Sequence, residues 1–164
     1  ARGRALFIGC GGAVALRQFA SVYPGIQLDL VEREAAVVEL AREWFALGEV
    51  PGLRVQVADG AAFLASAAPA SWDVVVVDAF DADDVSSPLL TPALFADVRR
   101  ALRQGGALAF NVIGTLERAG VVGQLVRDLS REFSAVRIVP VVDAKESFSA
   151  SVLRNVVVVA RRAG

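Results

Sequence analysis

The stretch that decides the fold is WDVVVVDAFDADD, residues 72–84, in which four consecutive valines lead into four aspartates. The segment Trp72–Val77 is apolar on both faces, which is typical of a central strand in a parallel sheet whose two faces are covered by helices. Asp78 directly follows this strand. In open α/β sheets ligands bind beyond the carboxyl ends of the strands, so we expect Asp78 to lie at a binding crevice.

Apolar runs of strand length alternate with helical patterns on both sides of this stretch, and Gly105 and Gly106 are expected to end the fourth helix. The predicted strands are Ala5–Ile8, Ile26–Val31, Leu53–Val57, Trp72–Val77, Ala107–Val112, Val136–Val142 and Val152–Ala160. The predicted helices are Ala13–Val22, Glu34–Leu47, Ala61–Ser66, Pro92–Arg103 and Leu116–Phe133. The last two strands have no helical pattern between them. The sequence therefore predicts a doubly wound α/β sheet of seven strands in the order 3-2-1-4-5-7-6, with the last strand antiparallel.

Composition excludes several classes of protein. The 164 residues fit one domain, and a net charge of −1 gives no basic surface for nucleic acid or an anionic membrane. With no histidine, neither a histidine base nor the usual zinc site can be built, and no metal is expected. A single cysteine and apolar runs too short to cross a bilayer predict a cytoplasmic protein. Because the chain starts with Ala1 and enters a strand almost at once, we expect a piece of a longer protein whose N-terminal part is absent.

Two strand ends carry residues suited to a nucleoside. Gly9, Gly11 and Gly12, in FIGCGGAV, let the backbone approach a ligand at a helix N-terminus, although the spacing lacks the G-x-G-x-x-G pattern; the alternative is a tight turn alone. Glu32 lies 20 residues after Gly12, where a carboxylate can accept both hydroxyls of a ribose; the alternative is a solvated acid. Arg33 is either part of that site or a surface charge.

The next two strand ends carry acids. Asp59 and Gly60 follow the third strand, and Asp59 can accept from an adenine amino group, cap the next helix, or do both. Asp78 and Asp81 suit a cationic ligand, or an amine that must lose a proton before it attacks. For Asp83 and Asp84 we favour an acidic surface turn, and for Cys10 in the glycine turn a small buried filler.

These segments resemble, in order, the nucleotide-binding domain of the spermidine synthase (polyamine aminopropyltransferase) family. The resemblance rests on LFIGCGGAVALRQ, LVERE, VADGAAFL, WDVVVVDAFDADD, SSPLLTPALFADVRRALRQGGALAFNV and RNVVVVA. It implies the class I fold of S-adenosylmethionine-dependent methyltransferases, and S-adenosylmethionine or its decarboxylated form as co-substrate. It assigns Glu32 to the ribose, Asp59 to the adenine, Asp78 to catalysis as the base and Asp81 to holding the polyamine.

The sequence departs from that family in two ways. The family's turn usually reads G-G-G-D-G-G, with an aspartate that anchors the aminopropyl amine, and Gly12 takes its place here. The family's N-terminal strand domain is also absent from this sequence. Three functions therefore stay open: aminopropyl transfer to a small cationic polyamine, methyl transfer from S-adenosylmethionine, and a non-catalytic nucleoside-binding or interaction domain. The oligomeric state is open too, with a homodimer among the alternatives.

Overall fold

The computed structural model describes residues 3–78, 90–142 and 149–164. The strands in these ranges are β1 (Arg4–Ile8), β2 (Gln27–Glu32), β3 (Leu53–Val57), β4 (Trp72–Val77), β5 (Leu102–Gly114), β6 (Ala135–Pro140) and β7 (Arg154–Arg161). The α-helices are α1 (Val14–Val22), α2 (Ala35–Trp44), α3 (Gly60–Ser66), α4 (Pro92–Ala101) and α5 (Val121–Glu132), and a short 3-10 helix spans Leu47–Glu49. None of the helices in the described ranges has the length and apolar character needed to cross a membrane.

All seven strands belong to one sheet with the order β3-β2-β1-β4-β5-β7-β6. The pairs β1–β2, β1–β4, β2–β3 and β4–β5 are parallel. β7 runs antiparallel to both of its neighbours, β5 and β6. The predicted strand order and the antiparallel last strand are therefore confirmed.

Two apolar clusters cover the two faces of the sheet. Helices α3, α4 and α5 pack on one face, where Val75 and Val77 of β4 are fully buried. The cluster on the other face includes residues of α1, α2 and the first two strands. Val74 and Val76 pack against that second cluster and are partly buried. β4 thus has apolar contacts on both faces, as its four valines predicted.

The boundary between α4 and β5 differs from the prediction. The helix ends at Ala101, and the strand begins at once with Leu102 instead of after Gly105 and Gly106. Leu102 is fully buried and pairs with Trp72 of β4, so sheet pairing and burial override the helical pattern. The register between the two strands then shifts, and a Cβ on Gly106 would lie 2.8 Å from a backbone oxygen, so no side chain fits there.

The bounds of α5 and β6 also differ from the prediction. α5 begins at Val121, not Leu116, although its predicted apolar stripe is buried at Val122, Leu125 and Leu129. β6 ends at Pro140 instead of continuing to residue 142, although the amide of Val141 still donates to Asn155 O of β7 at 2.9 Å.

A charged cluster ties four strands together where β1 and β4 begin. The carboxylate of Asp29 in β2 is almost fully buried and accepts three hydrogen bonds. Arg54 Nε of β3 donates to its Oδ1 at 2.8 Å, while Arg4 Nε of β1 and Trp72 Nε1 of β4 donate to its Oδ2 at 2.7 and 2.6 Å. Burial alone would raise the pKa of Asp29, but these donors outweigh it, and the pKa is lowered from the ordinary value of 3.8.

We expect Asp29→Asn to lower the free energy of unfolding at neutral pH by about 2 kcal/mol, the range for hydrogen bonds to a charged group. The pKa of Asp29 is lower in the folded state than in the unfolded state. The stabilisation by its carboxylate is therefore complete at pH values above the pKa of the unfolded state, and it is lost as the pH falls through the pKa of the folded state. Urea unfolding at neutral pH and below about pH 4 measures the difference between variant and wild type. Glu39→Gln, on an exposed helix surface, is the control. If the difference in unfolding free energy between Asp29→Asn and wild type is as large in acid as at neutral pH, this explanation is wrong.

Candidate functional site

The candidate site lies at the carboxyl ends of β1, β2, β3 and β4. The register brings these ends to one edge, because Ile8 pairs with Val31 on one side and with Val77 on the other. After β1 the chain turns to α1 on one face, whereas after β4 it continues to α4 on the opposite face. Strands β1 and β4 therefore meet at a topological switch point, where open α/β sheets bind ligands in a crevice.

The glycine turn between β1 and α1 is held at the edge of this crevice. Gly9 has φ of 91° and Gly11 has φ of 45°, in the region that only glycine adopts without strain. The amide of Gly9 donates to Val31 O at 2.8 Å, which continues the β1–β2 ladder into the turn. Gly12 differs, because a Cβ there would meet the Phe45 ring at 3.5 Å and the Val14 side chain at 3.8 Å, which are ordinary contact distances. The backbone therefore favours glycine at positions 9 and 11 and leaves room for a side chain at position 12.

Glu32, at the end of β2, bridges the glycine turn and the start of α2. Its Oε2 accepts from the amide of Cys10 at 2.8 Å, and its Oε1 accepts from the amide of Glu34 at 3.0 Å. An ionised carboxylate has about four acceptor positions, so both oxygens can still accept ribose hydroxyls. Its side chain is half-buried, unlike the freely solvated acid of the alternative interpretation.

The neighbouring residues Arg33 and Cys10 do not supply reactive groups. Arg33 is exposed and forms an ion pair with the exposed Glu34, at 3.2 Å. Cys10 is buried, as expected for a small filler, and burial followed by the nearby Glu32 carboxylate raises the pKa of its thiol to about 11. The thiol is therefore protonated at neutral pH and a poor nucleophile.

Asp59 and Gly60 position helix α3 at the end of β3. Asp59 Oδ1 accepts from the amide of Ala62 at 2.8 Å, so the expected helix cap is formed. Its other oxygen makes no hydrogen bond with a described residue. A Cβ on Gly60 would lie 2.4 Å from Cγ2 of Ile8, so only glycine lets α3 start this close to β1. The same glycine brings Asp59 to the edge where the glycine turn and Glu32 lie.

Asp78 is held in the crevice by contacts to both neighbouring strands. Its amide donates to Ile8 O of β1 at 2.8 Å, and its Oδ1 accepts from Asn111 Nδ2 of β5 at 2.8 Å. Among the described residues Oδ2 has no hydrogen-bond partner, so it can accept a proton from a substrate. Sequence reasoning assigned no role to Asn111. The sequence nevertheless distinguishes Asn111, because it is the one polar residue in the predicted strand Ala107–Val112.

Asp81, Asp83 and Asp84 lie outside the described residues. Within residues 3–78, 90–142 and 149–164, no group of three or more cysteine, aspartate or glutamate side chains could hold a metal ion.

Comparison with known proteins places this chain in a family. Residues 1–143 match the family described as Methyltransferase small domain. Spermidine synthase 2 of Arabidopsis thaliana is 36% identical over 109 residues, which make up 64% of this chain and 32% of that enzyme. The chain thus spans about a third of the length of the curated relatives that it matches.

Solved structures agree with the fold. A probable spermidine synthase from Corynebacterium glutamicum has a TM-score of 0.82 and 25% identity, over 98% of this chain and 56% of that one. Human methyltransferase-like protein 13, solved in complex with SAH, has a TM-score of 0.75 and 20% identity, over 99% of this chain and 72% of that one. The chain therefore belongs to the methyltransferase small domain family, with the class I methyltransferase fold, and its relatives include spermidine synthases.

Proposed function

We propose that this domain is a transferase that binds decarboxylated S-adenosylmethionine and transfers its aminopropyl group to a small polyamine. The observation that carries the proposal is the position of Asp78, which leaves the central strand at the switch point with one carboxylate oxygen engaged by Asn111. The likeness to spermidine synthases supports the substrate class. Cytoplasmic location, a role in polyamine biosynthesis and assembly as a homodimer stay predictions, as does the assignment of residues 1–164 as a single domain.

The chemistry of such a transfer needs a base and a cation site. A free amine nitrogen attacks the carbon attached to the sulfonium sulfur, the C–S bond breaks, and its electron pair stays on sulfur as a neutral thioether. The attacking nitrogen must be neutral, whereas an alkylamine has a pKa of about 10.4. Asp78 Oδ2 would take the proton that the amine loses, and Asp81 would hold the remaining positive charge of the acceptor. Glu32 and Asp59 would hold the ribose and the adenine.

A second function, methyl transfer from S-adenosylmethionine, is favoured by one observation. Gly12 carries no charge where the family's aspartate would repel the methionine carboxylate. A Cβ at position 12 would make only ordinary contacts, so the backbone geometry would also accommodate an aspartate at this position. The third function, a non-catalytic nucleoside-binding domain, predicts binding without turnover.

Calorimetry of the full-length protein with each sulfonium nucleoside tests the proposal directly. Tighter binding of the decarboxylated form, with transfer to linear diamines, is the expected result. Tighter binding of S-adenosylmethionine with methyl transfer would favour the second function. Binding with no turnover on any diamine would favour the third.

Replacing Glu32 tests the ribose contact. We expect Glu32→Gln to weaken binding of S-adenosylhomocysteine by roughly 1.5–3 kcal/mol, the range for a hydrogen bond to a charged group. Titration calorimetry measures the change in affinity. Thermal unfolding measures the cost of the one backbone contact that the variant loses, because a glutamine amide has a single acceptor oxygen for the amides of Cys10 and Glu34. Glu34→Gln is the matched control, because it removes an adjacent exposed carboxylate. Equal affinities for the two variants would mean that Glu32 only organises the turn.

Replacing Asp78 tests the base. We expect Asp78→Asn to lower kcat by about 10²–10⁴, the range for general acid–base assistance, with nucleoside affinity nearly unchanged. Activity of the wild type should rise with pH as the amine deprotonates, and alkaline pH should partly rescue the variant. Initial rates of transfer to a diamine across pH provide the measurement.

Two companion variants separate the roles around Asp78. Asn111→Ala removes the donor to Asp78 Oδ1 and should lower kcat less than Asp78→Asn does. Asp81→Asn should mainly raise the KM of the amine. Wild-type turnover by Asp78→Asn on its true acceptor would refute the assignment of the base.

Position 12 tests which nucleoside the pocket prefers. We expect Gly12→Asp to shift relative affinity toward decarboxylated S-adenosylmethionine by about tenfold or more, because charges about 4 Å apart interact by about 4 kcal/mol near a protein surface. Gly12→Asn has the same shape without the charge and serves as the control. Titration of both nucleosides into both variants gives the ratio of their affinities. The same ratio in the two variants would place position 12 away from the aminopropyl group.

A further inference from the structure

A cavity of about 450 Å³ lies beside the Asp29 cluster. Arg4 and Trp72, the first residues of β1 and β4, line it together with residues of β2, β3 and α3. The lining continues along β2 and β3 to Val31 and Gln56, but Arg4 and Arg54 lie toward the end of the strands that is remote from the candidate site. Along β1 the two ends are separated by about 13 Å, since a strand rises roughly 3.3 Å per residue. The cavity has the size of a small-molecule site, for which about 300 Å³ or more is usual.

The charge in this cavity is unbalanced. Of its lining residues only Arg4, Arg54 and Asp29 are charged, which leaves one net positive charge. Asp29 is already neutralised, because it accepts the Nε of both arginines and the indole N–H of Trp72. A negatively charged ligand would therefore meet two guanidinium groups and a carboxylate whose oxygens are engaged.

The two arginines retain donors for a ligand. Only their Nε atoms bond to Asp29, and their terminal nitrogens make no hydrogen bond within the described part of the chain. Arg4 is held in place by the ring of Trp72, whose centroid lies 5.1 Å from its guanidinium carbon. The side chains of Arg4 and Arg54 are 29% and 61% exposed, so a ligand can reach them from solvent. Planar guanidinium groups bind a carboxylate through paired N–H donors.

The rest of the lining is partly apolar. Phe63 of α3 and Trp72 contribute rings, and Ala67 and Ala68 contribute small apolar side chains. We propose that this cavity binds a small organic carboxylate, whose charged group meets Arg4 and Arg54 while its apolar body lies against Phe63 and the two alanines. This binding is separate from the proposed transfer reaction and does not depend on it.

Benzoate is the probe, and the indole N–H signal of Trp72 in an NMR titration is the readout. The chain has two tryptophans, and Trp44 is 70% exposed on α2. The variant Trp44→Phe therefore leaves a single indole signal, from a group that donates to Asp29 within the cavity. We expect benzoate to shift this signal saturably, with an affinity in the millimolar range usual for so small a ligand.

Two comparisons decide the outcome. In the Trp44→Phe background, Arg54→Gln should weaken benzoate binding about tenfold or more, as expected for loss of a charge-assisted hydrogen bond. Arg137→Gln, which removes the same charge from exposed strand β6, should leave it unchanged. Benzyl alcohol, the neutral analogue, should bind at least about tenfold more weakly than benzoate. The absence of a saturable shift, equal binding by the two arginine variants, or equal binding of benzyl alcohol would overturn the proposal.

Discussion

The parallel pairing of β1 with both β2 and β4 is the constraint on which the candidate site depends. The hydrogen bonds of these two ladders continue one step past the strands, from Gly9 N to Val31 O and from Asp78 N to Ile8 O. The glycine turn and the proposed base are therefore positioned by the sheet itself. A one-residue slip in either ladder would turn every side chain of the shifted strand to the opposite face and separate these groups.

Several candidate ligand-binding groups also hold the backbone. The Glu32 carboxylate accepts hydrogen bonds from backbone amides of the glycine turn and of the start of α2. The Asp59 carboxylate caps α3. Both carboxylates are oriented by these contacts before any ligand arrives, which reduces the entropy lost on binding. The same contacts mean that substitutions at these positions affect local structure as well as affinity, and an adjacent control variant is needed to separate the two effects.

The two ends of the strands carry different charge arrangements. At the carboxyl ends, Glu32, Asp59 and Asp78 present carboxylates, which suit a sulfonium nucleoside and a cationic amine. Where β1 and β4 begin, Arg4 and Arg54 surround the buried Asp29 and leave a positive surplus. Asp29 ties neighbouring strands together at the end of β1 remote from the site, while the acids at the other end remain accessible to ligands.

Local sequence pattern determined the order of strands and helices along the chain, because apolar periodicity records which faces each segment buries. The absence of a helix between the last two strands indicated the antiparallel one. The sequence pattern also located the strand ends, and with them Glu32, Asp59 and Asp78. Only tertiary structure decided where α4 gives way to β5, since Leu102 becomes a strand residue by pairing with distant Trp72. It likewise decided that Asn111 orients Asp78, 33 residues away, and that Arg4 and Arg54 share the Asp29 carboxylate. Such contacts join residues far apart in the chain, and their geometry arises only when the sheet is assembled.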